Sequence, residues 1–302
     1  MQASPVRALF TSRSSAGAWQ VRGVQMAATR ANWRALNDPT DTDLAACDLL
    51  CVVKRPDPAL IARARRRGKA IVYDIVDAWA QPDDGLRYTT PAQARTLFAP
   101  VWRAIGADGY VFPTRRMAQD LGSLVRRGIT LYHHHRPDIE RNPVRSRVRT
   151  VGYEGGDYLG EWRGRFEAAC AARGLRFVSN PPRYTDLDIV ILARGGAHGS
   201  FLARSYKSNI KLANAYGSGT PALVHVEEMS AHDTDCGDVR FFTDQPVSFE
   251  RQLDHLCGSH ALRQSIHRRF LAASEQFHVG RIAASLEAFF LHMLRERPAG
   301  HA

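Results

Sequence analysis

Short apolar runs alternate with longer amphipathic ones along most of this chain. Val6–Thr11, Asp48–Val53, Ala70–Val76, Asp108–Phe112 and Ile129–His133 read as strands. The stretches between them, Trp19–Arg30, Pro58–Arg67, Pro91–Ile105 and Thr114–Arg126, carry helical spacing. Strands alternating with helices of about 10–15 residues predict βαβ units and a parallel sheet. The pattern breaks at 135–149, which is polar, holds two prolines and has no period; it reads as a linker. It then restarts with predicted strands at Thr150–Tyr153, Leu175–Ser179, Asp188–Ala193, Ala222–Val226 and Val239–Phe242. Helices are predicted at Tyr158–Arg173 and Ile210–Tyr216. The chain closes with Ser248–Leu256, Ala261–Glu275 and Val279–Arg295.

The economical reading is an α/β protein of two tandem doubly wound, Rossmann-like domains with a cleft between them and C-terminal helices. Its expected divisions are 1–140, 141–275 and a final helix, 276–302, returning to the first domain. At 302 residues the chain is long enough for two ordinary domains. Ligands in such folds sit at the carboxyl ends of the strands.

Residues 204–226 hold the most specific local pattern. Lys207, Ser208 and Asn209 form a polar turn before a helix that opens at Ile210. Gly217, Ser218 and Gly219 end it, and Pro221 forbids its continuation. The first amide groups of a helix lack partners and its dipole is positive there, which suits a phosphate. Only four lysines occur, at 54, 69, 207 and 211, and two of them lie at this helix start. An ordinary helix–strand connection is the plain alternative.

The segment from Lys207 through Lys211 and Leu212 to Asn214, Gly219 and Pro221 resembles the donor-binding signature of GT-B glycosyltransferases. Lys211, Gly219 and Pro221 match that family's spacing. The resemblance implies a nucleotide-diphosphate sugar as donor substrate, with its phosphates near Lys211 and Asn209, and requires no further cofactor or metal. It also implies a glycan or lipid-linked acceptor hydroxyl. One departure stands out: Asn214 and Tyr206 occupy the places of the two carboxylates found in many retaining members. The order of acceptor-side domain, linker, donor-side domain and C-terminal helices matches the family as well.

Further candidates follow from the strand ends. Gly17 and Arg22, in the loop and helix after the first strand, are acceptor-side candidates. Gly-x-Gly-x-x-Gly is absent, so no dinucleotide fingerprint is present. Asp77, and after it Asp74, stand at the end of the third predicted strand, where a carboxylate can serve as general base. The structural alternative has Asp77 capping and Asp74 paired with an arginine. His133 is a further candidate; three consecutive histidines on a strand point to alternate faces and do not make one metal site. On the donor side Gly152, Glu154 and Gly155 form a Gly-rich turn after a strand, where backbone can approach phosphates. His198 lies in a Gly-rich loop, and Glu227, with Glu228, follows the Ala222 strand. The resemblance puts Glu227 beside the sugar; the alternative is a solvated pair before a helix capped by Ser230.

Net charge is +11, with arginine clusters spread along the chain. Compositional bias and attraction to an anionic membrane or acceptor account for this better than specific nucleic-acid binding, because no nucleic-acid motif accompanies it. The five cysteines form no Cys-x-x-Cys pair, and no apolar run reaches the ~18 residues of a membrane span. The expectation is a cytoplasmic protein, with peripheral contact at the inner membrane face left open. Three rival functions remain at this point: a catalytically silent sugar-nucleotide-binding module, a nucleotide-sugar epimerase, and a transferase acting on nucleic-acid bases.

Overall fold

The computed structural model describes residues 5–15, 17–80, 82 and 85–296. The chain divides into two compact units. The first comprises 1–81, 90–133 and 279–302, and the second 82–89 and 134–278.

The first unit is a six-stranded parallel sheet of β1 (Ala8–Thr11), β2 (Trp33–Ala35), β3 (Leu49–Val53), β4 (Ala70–Asp74), β5 (Gly109–Phe112) and β6 (Gly128–Thr130). The strand order is β2-β1-β3-β4-β5-β6. Strands β3 and β4 are buried at every position, which is why they read as unbroken apolar runs rather than alternations. The second unit repeats the plan with β7 (Thr150–Tyr153), β8 (Arg176–Ser179), β9 (Ile189–Leu192), β10 (Ala222–His225) and β11 (Arg240–Phe242), in the order β11-β10-β9-β7-β8. In each sheet the order reverses beside the first strand, between β1 and β3 and between β7 and β9. Those reversals open a crevice at the strand carboxyl ends. Strand β11, predicted from Val239, pairs from Arg240.

Several predicted elements are reshaped. The Trp19–Arg30 spacing predicts one α-helix; instead a short turn, Gly17–Trp19, leads into a π-helix, Gln20–Gln25. The Trp19 ring lies where a Cβ on Gly23 would stand, so the sequence spacing is helical while the register is not. Edge strand β2 has only three residues, too few for a period to show. The strand predicted to run to Val76 stops at Asp74. Val76, Asp77 and Ala78 then take φ of 32°, 54° and 58°. The helix predicted from Tyr158 starts at Trp162. That predicted to reach Arg126 ends at Leu121 and passes into a 3-10 turn, Gly122–Leu124. Two short helices, Asp41–Ala46 and Phe201–Tyr206, have no counterpart among the predicted elements.

The stretch that reads as a linker packs into the second unit. Asn142 lies buried there, its side-chain amide donating to the Tyr184 carbonyl and to Thr220 Oγ1, both at 3.0 Å. The final helix, Val279–Arg295, belongs to the first unit. Its Ile282, Leu286, Phe289, Phe290 and Met293 join the core built on β1 and β3. Gly109 on β5 is required by this packing, because a Cβ there would meet Met293 Sδ at 2.0 Å. Phe290 is fully buried, with its ring centroid 5.7 Å from Trp33 and 6.2 Å from Phe10.

Phe290→Ala should therefore lower stability by about 3–5 kcal/mol, the usual cost of truncating a buried aromatic. The shift of the urea midpoint measures it; a change under ~1 kcal/mol would show that the last helix is dispensable to the core.

Candidate functional site

In the second unit the reversal between β7 and β9 brings three loops to the start of the Ile210–Ser218 helix. Asn209 is the N-cap and makes no side-chain capping bond; Gly219, at φ 71°, closes the helix in the left-handed conformation. Lys207 is the C-cap of the preceding Phe201–Tyr206 helix, its ammonium 5.2 Å from the Tyr158 ring centroid. Ser208 and Asn209 are buried. Tyr206, at the position of a family carboxylate, is fully buried.

Lys211 is the most constrained of the sequence candidates. Its ammonium donates to the Tyr153 hydroxyl at 2.8 Å and stands 4.0 Å from that ring's centroid. Burial pushes the Tyr153 phenol up to about 12, so at neutral pH it is uncharged. The turn after β7 comes close to this ammonium. Gly155 has φ 138°, a conformation that favours glycine, and a Cβ there would stand 3.0 Å from Lys211 Nζ. Gly152 is required by packing instead, because a Cβ there would meet the Leu187 side chain at 2.3 Å.

Glu154 is held from two sides. The Tyr184 hydroxyl donates to its Oε2 at 2.7 Å. Asn214 Nδ2 donates to the same carboxylate at 3.0 and 3.2 Å. Asn214 Oδ1 in turn accepts the backbone N–H of Arg136 at 2.9 Å. An amide at position 214 thus does what a carboxylate there could not: it accepts with one atom while donating to Glu154 with the other. The carboxylate absent from the helix is present beside it, on the β7 turn.

Two further acids come from beyond β10. Glu227 is half exposed and paired with Arg204. Glu228 is buried and paired with Arg194, which follows β9. The pair is therefore not a solvated one, and Ser230 lies inside the Met229–Thr234 helix, whose N-cap is Glu228. Sequence reasoning does not single out Arg194 or Tyr184, since neither adjoins its partner in the chain. His198 is exposed, its ring 4.6 Å from that of Tyr158.

In the first unit the carboxyl ends of β1, β3 and β4 hold the remaining candidates. Arg22 and Asp74 form an ion pair at 2.8 Å, each side chain 1% exposed. Arg22 also donates to the Tyr132 carbonyl at 3.2 Å. Burial raises the Asp74 carboxyl pKa against the opposing pull of the Arg22 guanidinium. Neither side chain offers surface to a substrate, so the geometry corrects both assignments: Arg22 and Asp74 are partners inside the core. His133, 2% exposed, offers a ligand almost no contact area either. Gly17 is exposed, with open space around its Cα. Asp77 differs. It sits on the left-handed arch after β4, partly exposed, its carboxylate 3.0 Å from the ammonium of Lys54. Lys54 follows β3 and is itself left-handed, at φ 60°.

A larger cavity of about 710 Å³ opens at the amino ends of β1 and β3, between Val6, Leu291 and Leu294 and the Arg7–Asp48 ion pair. It lies at the end of the sheet opposite to these groups. Among the described residues, no group of three or more His, Cys, Asp or Glu side chains is placed to hold a metal ion, and no helix is long and apolar enough to cross a membrane.

No family model matches the sequence, and no curated protein matches it. Solved structures do. A glycosyltransferase from Rickettsia africae superposes with a TM-score of 0.62 at 8% identity, over 97% of this chain and 100% of that one. The HepE protein of Anabaena, solved in complex with UDP, gives 0.63 at 10% identity, over 95% and 100%. WaaG, a glycosyltransferase involved in lipopolysaccharide biosynthesis, gives 0.54 at 12% identity, over 93% and 98%. What is shared at these identities is the fold: two Rossmann-like units of the GT-B type.

The buried pair sets a stability test. Arg22→Ala should cost about 3–5 kcal/mol by stranding the Asp74 carboxylate, whereas Arg22→Met with Asp74→Leu should cost far less. Urea unfolding of the single and double variants gives the comparison. Equal losses in both would mean that packing, not charge, sets the cost.

Proposed function

We propose that this chain is a glycosyltransferase that uses a nucleotide-diphosphate sugar as donor and a hydroxyl of a glycan or lipid-linked molecule as acceptor. The observation that carries the reading is the Lys211 ammonium, held against Tyr153 beside Gly155 at a helix start, at the strand reversal of the second unit. HepE was solved with UDP and also with UDP and glucose, which supports the same ligand class here.

In the proposed reaction the acceptor oxygen bonds to the anomeric carbon as the bond from that carbon to the diphosphate oxygen breaks. The acceptor proton passes to a base, and the diphosphate leaves with the bonding electrons. Lys211 and the first backbone amides of the Ile210–Ser218 helix neutralise that leaving charge, which stands in for a metal ion. Asp77 is the proposed base, because it alone of Asp74, Asp77 and His133 presents more than a trace of surface.

The replacement of two family carboxylates by Tyr206 and Asn214 favours one rival, a module that binds the donor without turning it over. Donor hydrolysis in the absence of acceptor separates the two. Peripheral attachment to an anionic membrane is a further part of the proposal, motivated by the net charge of +11; flotation with anionic vesicles tests it.

UDP should raise the melting temperature more than UMP does. Lys211→Ala should weaken UDP binding by about 1.5–3 kcal/mol, the worth of a charge-assisted contact, while Lys54→Ala leaves it unchanged. Calorimetric titration decides this; equal shifts for UDP and UMP, or equal affinities in both variants, would remove Lys211 from the site.

Asp77→Asn should lower turnover by about 10²- to 10⁴-fold, with donor affinity retained. Full turnover with intact binding would falsify the assignment of the base.

A further inference from the structure

Strand β8 is an edge of the second sheet, and its two faces are covered differently. Phe177 turns toward the Trp162–Ala171 helix, its ring centroid 6.3 Å from that of Phe166. Alternation along the strand sends Arg176 and Val178 to the opposite face. A cavity of about 380 Å³ opens at the amino ends of β7 and β8, with Val178, Pro181, Pro182 and Leu187 as apolar walls and Arg149 and Arg176 in its lining. That volume falls within the range of small-molecule sites. The groups around Lys211 gather instead at the carboxyl end of β7, where Tyr153 stands.

Charge in this cavity is unbalanced. Asp188 is buried and accepts from Arg145 Nη1 at 2.9 Å and from the backbone N–H groups of Arg149 and Thr150 at 2.7 and 2.9 Å. Asp186 is paired with Arg183 at 3.2 Å. Both acids of the lining are thus matched, and among the described residues no carboxylate pairs with the Arg149 or Arg176 guanidinium. The two arginines are neighbours across the strands: the Arg176 N–H donates to the Arg149 carbonyl at 2.9 Å. Arg176 Nη2 reaches Thr150 Oγ1 at 3.5 Å, a long contact that a better acceptor would displace. Both side chains are exposed and can turn onto a ligand.

Two unmatched guanidinium groups beside one another suit a dianion, and the guanidinium fork matches the oxygens of a phosphate. A phosphate monoester carries about −1.5 to −2 charge at neutral pH. The prolines, Val178 and Leu187 offer an apolar surface to the body that bears the phosphate. Arginines set on an edge strand only to prevent its pairing with another chain would need no cavity beside them. We propose that this cavity is a second anion site, which binds an organic phosphate monoester with its phosphate on Arg149 and Arg176 and its apolar part against Val178, Pro181 and Pro182. The site is independent of the donor-site reading. A soluble phosphate ester and the headgroup of phosphatidic acid both offer this chemistry.

Calorimetric titration with phenyl phosphate tests the site in the wild-type chain, in the double variant Arg149→Gln, Arg176→Gln and in Lys211→Ala, with melting curves to establish that each is folded. The double variant should bind phenyl phosphate at least about 10-fold more weakly than the wild type, and Lys211→Ala should match the wild type. Benzenesulfonate, with the same ring and a single charge, should bind the wild type about 10-fold more weakly than phenyl phosphate does. No binding at millimolar phenyl phosphate, unchanged affinity in the double variant, loss in Lys211→Ala alone, or equal affinity for the two ligands overturns the proposal. Phosphatidylcholine vesicles containing phosphatidic acid separate the two sources. Capture of the wild type but not of the double variant assigns the ligand to a lipid headgroup; equal capture of both, or of neither, assigns it to a soluble ester.

Discussion

In the second unit, the half-buried Lys211 ammonium has to be accommodated beside an aromatic ring and a phenol hydroxyl. Burying a cation without compensation is costly. Here the Tyr153 ring and hydroxyl take up Lys211, and the phenol is neutral. The neighbouring turn carries Gly155 at φ 138°, which brings its backbone close to the ammonium. The acids of this unit have partners of their own: Glu154 is held by Tyr184 and Asn214, Glu228 by Arg194 and Glu227 by Arg204.

The first unit handles charge differently. Its Arg22–Asp74 pair is closed to solvent and bridges the π-helix to the end of β4. Shortly after it come three residues at positive φ, none of them glycine. Conformations of that kind cost on the order of 1–3 kcal/mol each and persist only where the surroundings enforce them. Asp74 supplies part of that enforcement: its backbone carbonyl accepts the Lys54 N–H at 2.8 Å, and its side chain is fixed by Arg22. The outcome is that Lys54 and Asp77, just beyond adjacent strands, face each other at the carboxyl edge of the sheet.

Much of this is legible in the order of residues. The buried strands β3, β4, β9 and β10 announce themselves as apolar runs, and the helix from Ile210 is delimited by Asn209 at its start and Gly219 at its end. Lys211 stands out because lysine is scarce in a chain rich in arginine. The 135–149 stretch reads as a linker because polarity usually marks solvent exposure, whereas Asn142 spends its polarity on buried groups of the second unit. Asp74 and Asp77 look equivalent in sequence, three residues apart at a strand end; a left-handed arch turns one inward and leaves the other partly exposed.

The sequence by itself determined the alternation of strands and helices, the division into two α/β units and the lysine-bearing helix start at 207–211. These are local properties, set by hydrophobic period, by the first amides of a helix and by glycine and proline at its end. Only the tertiary structure decided which acids are buried, which are paired and which keep surface. Arg22 lies 52 residues from Asp74, Asn214 lies 60 from Glu154, and Arg194 reaches Glu228 from a different strand. A carboxylate's role depends on the charges and donors within a few ångströms of it, and no spacing along the chain records those distances.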